Sequence, residues 1–174
     1  MADTLWPLLD PAGASEDEQR EYFLRLFLEN YVMGAQGQEP DIRDWHGRRV
    51  KFHPPNFDHA FSEASNYRLS SGVHDIPLSM RRAQRMLWIK EAIAGSAGTI
   101  EVRAQTRKDS RGRMRKRRTL IVVDERYVVV LQACEKEGYA FEFVTAFPAD
   151  QAYLDKIRHE SALLEMKKPQ SYGD

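Results

Sequence analysis

The sequence predicts an α+β fold, in which N-terminal helices pack on a four-stranded antiparallel sheet meander and a C-terminal helix follows. Apolar residues recur at helical spacing up to about residue 94, and from residue 99 the spacing changes to two. Short turns then separate four strand-like runs, which is typical of an antiparallel meander. Since 174 residues is the length of one ordinary domain, we expect a single domain over 1–174.

The predicted helices begin at capping residues. Ser15, with a glutamate three residues later, forms a capping box and predicts a helix over 15–34 with a buried aromatic side. Ser79 is placed to cap a stronger helix over 80–94. A short strand is predicted at Val50 and Phe52, and a pair of prolines ends it. A short helix is predicted after the prolines and before Ser79.

The second half of the chain predicts strands and one helix. The last predicted strand contains Tyr139, Phe141, Phe143, Thr145 and Phe147, whose alternation places them on one face. The strands are expected over 99–107, 115–123, 127–131 and 139–147, and the C-terminal helix over 150–166.

The composition excludes several classes of protein. Hydrophobic residues make up 42% and charged residues 30%, and no run approaches the ~18 apolar residues of a membrane span. The acidic N-terminus lacks the apolar stretch of a secretory signal, so we expect a cytoplasmic protein, or one exported without an N-terminal signal. The single cysteine, Cys134, excludes an internal disulfide framework. No phosphate-binding loop, dinucleotide fingerprint or metal-ligand spacing is present, so we expect neither a cofactor nor a metal.

Charge is distributed unevenly along a chain whose net charge is zero. Residues 1–40 carry 2 basic and 8 acidic groups, whereas residues 101–123 carry 9 basic and 2 acidic groups. The basic groups fall on one predicted hairpin, and they are Arg103, Arg107, Lys108, Arg111, Arg113, Arg115, Lys116, Arg117 and Arg118. Such a cluster favours binding to the phosphates of a nucleic acid or another polyanion. The alternative interpretation is a solvated edge that resists aggregation.

The residue types fit RNA cleavage without a metal. That reaction needs a base for the 2′-hydroxyl, an acid for the leaving 5′-oxygen, and groups that stabilise the charge on the phosphate. A histidine can act as base or acid, because its unperturbed pKa is ~6.5. His59 lies in the short helical segment, and Thr145 lies on the last strand. Taken alone, His59 is typical of a packing residue and Thr145 of an ordinary strand residue.

Three stretches of the chain resemble a known group of nucleases. They are Phe57-Asp58-His59-Ala60-Phe61, the helix that begins Ser79-Met80-Arg81-Arg82-Ala83, and the strand Phe143-Val144-Thr145-Ala146-Phe147-Pro148. In this order, with a meander before the third, the chain resembles the phage-associated branch of the barnase–EndoU–colicin–RelE superfamily. The resemblance covers residues 45–150, which implies a nuclease-like core over that range.

This resemblance implies roles for individual residues. His59 would be the general base or acid, Thr145 would bind the scissile phosphate, and Arg82 would be a phosphate ligand. The further candidates for phosphate binding are Arg68, Arg103 and Arg118. Some members of the superfamily have a second basic residue beside the histidine, where this chain has Asp58 and Ala60.

The leading functional hypothesis is therefore a metal-independent endoribonuclease that acts through the 2′-hydroxyl. RNA is the expected partner, and a toxic domain of a phage or interbacterial system, with a cognate inhibitor protein, is one setting that the resemblance implies. Two alternatives stay open at this point. One is a nucleic-acid-binding module that does not cleave, and the other is a protein-interaction domain that uses the acidic first helix and the basic hairpin.

Overall fold

A computed structural model of the chain describes residues 3–11, 15–63, 77–109 and 111–169. The chain is α+β, as the sequence predicts. Helix α1 begins after Ser15, whose side chain accepts a hydrogen bond from the Glu18 N–H at 3.2 Å. The helices are α1 (Glu16–Phe27, extended by a wider turn over Leu28–Val32), α2 (Asn56–Phe61), α3 (Met80–Ala83), α4 (Trp88–Ala94) and α5 (Gln151–Glu160). None of the helices in the described ranges combines the length and the hydropathy needed to cross a bilayer.

The helix predicted over 80–94 is in fact two helices. Ser79 caps α3 as expected, but tight turns in which N–H groups bond three residues back separate α3 from α4. The turns bring both Met86 and Trp88 into the core. The N-terminal segment also docks here, since the Leu9 N–H donates to the Gln84 carbonyl at 3.0 Å. The periodicity of a single helix does not reveal such tertiary contacts, and here they interrupt the helix.

The sheet has six strands and is mixed, so the predicted four-stranded antiparallel sheet was incomplete. The strands are β1 (Val50–Lys51), β2 (Ile100–Lys108), β3 (Met114–Val122), β4 (Tyr127–Ala133), β5 (Phe141–Pro148) and β6 (Ala162–Lys167). Their order across the sheet is β1-β5-β4-β3-β2-β6. The meander β2 to β5 is antiparallel as predicted, whereas β1 adds to β5 in parallel.

The C-terminal segment corrects the prediction of one helix over 150–166. Helix α5 begins at an Asp150 cap and ends at Glu160. The following residues form β6, which pairs antiparallel with β2. Alanine, leucine, glutamate, methionine and lysine favour helices, but pairing with a free sheet edge outweighs that preference.

A register shift in β5 corrects the predicted face of Thr145. Phe143 pairs with Leu131, yet Thr145 pairs with Val130, the next residue back along β4. Val144 is thus the extra residue of a bulge, which reverses the alternation of the strand. Phe143 packs in the larger core, while Thr145 lies on the opposite face of the sheet.

The two faces of the sheet pack on different helices. Alternating residues of β4, such as Val129 and Leu131, face a large core built with α1, α2 and α4, and we call this the N-terminal face. The residues between them, Val128 and Val130, pack with Leu154 and Ile157 of α5, and we call this the α5 face. Because α5 covers only part of its face, the remainder of the α5 face is open beside the β2–β3 hairpin.

Candidate functional site

Helix α2 presents His59 at the edge of the sheet. The helix buries Phe57, Ala60 and Phe61, so the half-buried His59 lies on its remaining side. Asn56 fixes the start of the helix, because its side chain accepts from the His53 N–H at 2.7 Å and donates to the Phe143 carbonyl at 3.3 Å. These bonds hold the helix against β5, which is the strand that carries Thr145.

His59 and Thr145 line the same surface and are shared by two adjoining clefts. One cleft, of about 740 Å³, continues toward the β2–β3 hairpin, and we call it the arginine cleft. The other, of about 480 Å³, continues toward α3 and α5, and we call it the aromatic cleft. The bulge in β5 places Thr145 on this surface. Without the bulge, the Thr145 side chain would share the face of Phe143 and point into the core.

Six of the nine basic residues of the hairpin line the arginine cleft. On the strands, alternation and the pairing of Arg107 with Arg115 direct these side chains to one face, and Arg117 follows on the same face. At the turn, Asp109 accepts from the backbone N–H groups of Arg111 and Arg113. The six residues are Arg107, Lys108, Arg111, Arg113, Arg115 and Arg117.

The charge of Asp109 supports this turn. The backbone N–H of Arg113 does most to lower the pKa of Asp109, and the Arg111 N–H and the Arg115 side chain act in the same direction. Asp109 therefore stays ionised and holds the turn closed while the side chains of Arg111 and Arg113 extend into solvent.

The other three basic residues lie outside both clefts. Arg103 binds Glu101 at 2.9 Å and donates to the carbonyls of Arg158 and Ser161, so it closes the C-terminal end of α5. Arg118 lies on the N-terminal face, where it binds Glu165 at 3.2 Å and covers the ring of Phe141. Lys116 alternates with the cleft residues and is exposed.

Arg118 is held by packing as much as by charge. Burial lowers the pKa of Arg118 from its ordinary range. The predicted roles of Arg103 and Arg118 in phosphate binding thus have no support from their positions, and we assign both residues to the fold.

Arg82 lines the aromatic cleft, which His59 and Thr145 also line. Its guanidinium donates to the Ala60 carbonyl at 3.3 Å and lies over the ring of Phe147, 5.3 Å from the ring centre. Burial lowers the pKa of Arg82, which is the cost of holding the guanidinium between the helices and β5. Arg68, the remaining candidate, lies outside the described residues.

The sequence interpretation missed one histidine of the arginine cleft. The resemblance implies no role for His53, yet it lines this cleft together with His59. The Nε2 atom of His53 lies 3.4 Å from the Glu142 carboxylate, whose other oxygen accepts from the Gln132 side chain. The signal was the turn formed by the two prolines and Asn56, which places His53 directly before the helix that carries His59.

The arrangement offers two imidazoles, a hydroxyl and several guanidiniums around one open surface. Within the described ranges, no three His, Cys, Asp or Glu side chains are grouped so that they could hold a metal ion. Imidazoles can transfer protons, and one guanidinium can donate two parallel hydrogen bonds to the oxygens of a phosphate. Comparison with known proteins gave no family model, no curated protein and no solved structure that matches this chain.

Proposed function

We propose that this protein is an endoribonuclease that cleaves RNA by attack of the 2′-hydroxyl on the adjacent phosphate, without a metal ion. The observation that carries the proposal is the bulge in β5. It brings Thr145 out of the core to the surface that His59 lines, and arginines of the hairpin line the same cleft. A residue re-aimed by a bulge toward a cleft is typical of an active site.

The proposed reaction assigns each proton. His59 accepts the proton of the 2′-hydroxyl, and the O2′–P bond forms while the P–O5′ bond breaks. His53 gives a proton to the departing 5′-oxygen, so the products are a 2′,3′-cyclic phosphate and a 5′-hydroxyl. The Thr145 hydroxyl and the Arg82 guanidinium bind the phosphate oxygens, where negative charge develops.

The arginine cleft supports this proposal by its charge. Its guanidiniums bind the phosphates of a single strand that passes along the hairpin, which fixes the position of the strand without reading its sequence. In a toxin setting, the same surface is the one that an acidic inhibitor protein would cover.

The test compares three proteins on total RNA in the presence of EDTA. Wild-type protein is expected to cleave, and His59→Ala is expected to lose at least ~100-fold in rate, the typical contribution of a general base. His159→Ala is the matched control, since His159 is an exposed histidine on α5 outside both clefts. Thermal unfolding of each variant shows whether its fold is intact.

Each result separates the alternatives. Full activity of a folded His59→Ala variant would contradict the assignment of the base. RNA that binds without being cleaved by any of the three proteins would favour a non-catalytic nucleic-acid-binding module. Failure to bind RNA at low salt would favour a protein-interaction domain.

The role of His53 has its own measurement. A base must be unprotonated and an acid protonated, so wild-type activity is expected to rise and then fall with pH. In His53→Ala the fall at high pH should disappear, because the acid that loses its proton there is gone. A variant that keeps both limbs of the profile would show that another group is the acid.

A further inference from the structure

The aromatic cleft contains an exposed tyrosine beside the proposed site of cleavage. Tyr153 lies in the first turn of α5, and 43% of the residue is exposed. Asp150, the cap of that helix, accepts from the Tyr153 N–H at 2.8 Å and so fixes where the side chain leaves the helix. Leu154, the next residue, is buried against the sheet, so it anchors the helix directly beside Tyr153.

A single exposed aromatic residue is ordinary on a protein surface, but Tyr153 belongs to a small assembly. Its ring meets the ring of Phe147 edge to face, with the centres 5.5 Å apart and the planes at 84°. The Arg82 guanidinium lies over the same Phe147 ring. In an edge-to-face contact Phe147 can cover at most one face of the tyrosine ring, so at least one face stays uncovered by Phe147.

The assembly adjoins the groups that would carry the reaction. His59 and Thr145 line the aromatic cleft as well as the arginine cleft. A strand whose scissile phosphate sits between His59 and Thr145 therefore has phosphates on the arginine side and a neighbouring nucleotide on the side of Tyr153. Aromatic rings and guanidinium planes are the surfaces on which proteins stack splayed-out RNA bases.

We propose that the aromatic cleft binds the base of a nucleotide next to the scissile phosphate, with Tyr153 as the stacking surface and Arg82 at its side. This inference rests on the proposed function, because it takes the polymer in the cleft to be RNA. Stacking is available to every base, so the cleft supplies affinity and the position of the strand at this nucleotide. The base contact would hold the adjoining ribose in place for attack on the phosphate.

The test measures binding rather than cleavage. A 2′-O-methyl RNA hexamer lacks the attacking hydroxyl, so its affinity can be measured for active protein at fixed salt. Tyr153→Ala is expected to weaken binding about tenfold, within the range for loss of one stacked base. Tyr153→Phe should bind like wild type, and Tyr153→Leu, which keeps the apolar packing on Phe147, should bind like the alanine variant.

A second arm places one abasic position in the hexamer and moves it along the strand. At one position the missing base should lower the affinity of wild-type protein about tenfold and leave the affinity of Tyr153→Ala almost unchanged. The reason is that the two changes remove the same contact. Equal costs in both proteins at every position would overturn the proposal. Wild-type affinity of Tyr153→Leu would overturn the stacking role as well.

The two proposals fail separately. If the hexamer experiment succeeds while natural RNA is bound but not cleaved, the base-binding cleft stands and the nuclease proposal fails. If RNA is cleaved and Tyr153→Ala binds and cleaves like wild type, the nuclease proposal stands and the base-binding cleft fails.

Met33→Ala, at an exposed residue outside both clefts, is the control for a general effect of losing exposed apolar surface.

Discussion

The two ends of the β2–β3 hairpin carry similar residues in different environments. At the end inside the sheet, Glu101 is 6% exposed and binds Arg103 at 2.9 Å and Arg158 at 2.7 Å. At the tip, the side chains of Arg111 and Arg113 are exposed, and Asp109 holds the backbone of both residues. Arginine therefore stabilises the fold where it is buried and paired, and is available to a ligand where it is exposed.

This comparison predicts a large loss of stability at the buried end. Glu101→Ala leaves Arg103 and Arg158 without their carboxylate, and we expect the free energy of unfolding to fall by about 3 kcal/mol, as for other buried pairs that lose one partner. Urea unfolding at neutral pH measures it. Glu160→Ala is the control, because Glu160 binds Arg107 near the tip, where both side chains are more than a third exposed. This variant should lower the free energy of unfolding by less than about 1 kcal/mol.

Acid should remove the same contribution. Burial alone would raise the pKa of Glu101, but the hydrogen bonds from Arg158 and Arg103 outweigh it and place the pKa below its ordinary range. Stability from this group is therefore complete above the ordinary glutamate pKa of ~4.3 and is lost as the pH falls through the lower pKa of the folded state. The difference between wild type and Glu101→Gln should shrink over that window. A difference independent of pH would contradict the pairing.

At the tip we expect an effect on binding and none on folding. Replacing both Arg111 and Arg113 by alanine removes two exposed cations from the arginine cleft. For single-stranded RNA, the slope of log affinity against log salt should become shallower by about 0.7 for each lost phosphate contact. Filter binding from low to moderate salt measures the slope. An unchanged slope would place the RNA elsewhere on the molecule.

Lys116 should show the smallest effect. It belongs to the same hairpin and carries the same charge, but it alternates away from the cleft. Lys116→Ala is expected to change RNA affinity less than twofold at moderate salt. A loss equal to that of an Arg113→Ala variant would show that the net charge of the hairpin, rather than the cleft, governs binding.

Local signals made much of the fold predictable. The caps at Ser15 and Ser79 and the antiparallel hairpin β2–β3 depend on neighbouring residues, and the structure contains them. Strand β6 was not predictable, because its residues favour helix and only the free edge of β2 makes them a strand. Strand β1 confirms the short strand predicted near Val50, but a run of two residues carries no signal for its parallel pairing with β5.

The candidate site was predictable in part. His59 and Thr145, 86 positions apart, line one surface, and their roles there stay predictions. Alternation gave the wrong face for Thr145, because a bulge has no signature in a run of strand-forming residues. The charge of the hairpin gave no means of separating Arg117, which lines the cleft, from Arg118, which faces the other way and binds Glu165.

The most direct test of the central claim is the chemistry of the cleaved ends. Wild-type protein is incubated in EDTA with a short RNA that it cleaves at one position, and with the same RNA carrying a 2′-O-methyl group on the attacking nucleotide. We expect a 2′,3′-cyclic phosphate and a 5′-hydroxyl from the first and no cleavage of the second. Cleavage of the 2′-O-methyl substrate, or products with a 5′-phosphate, would contradict attack by the 2′-hydroxyl and the roles given to His59 and His53.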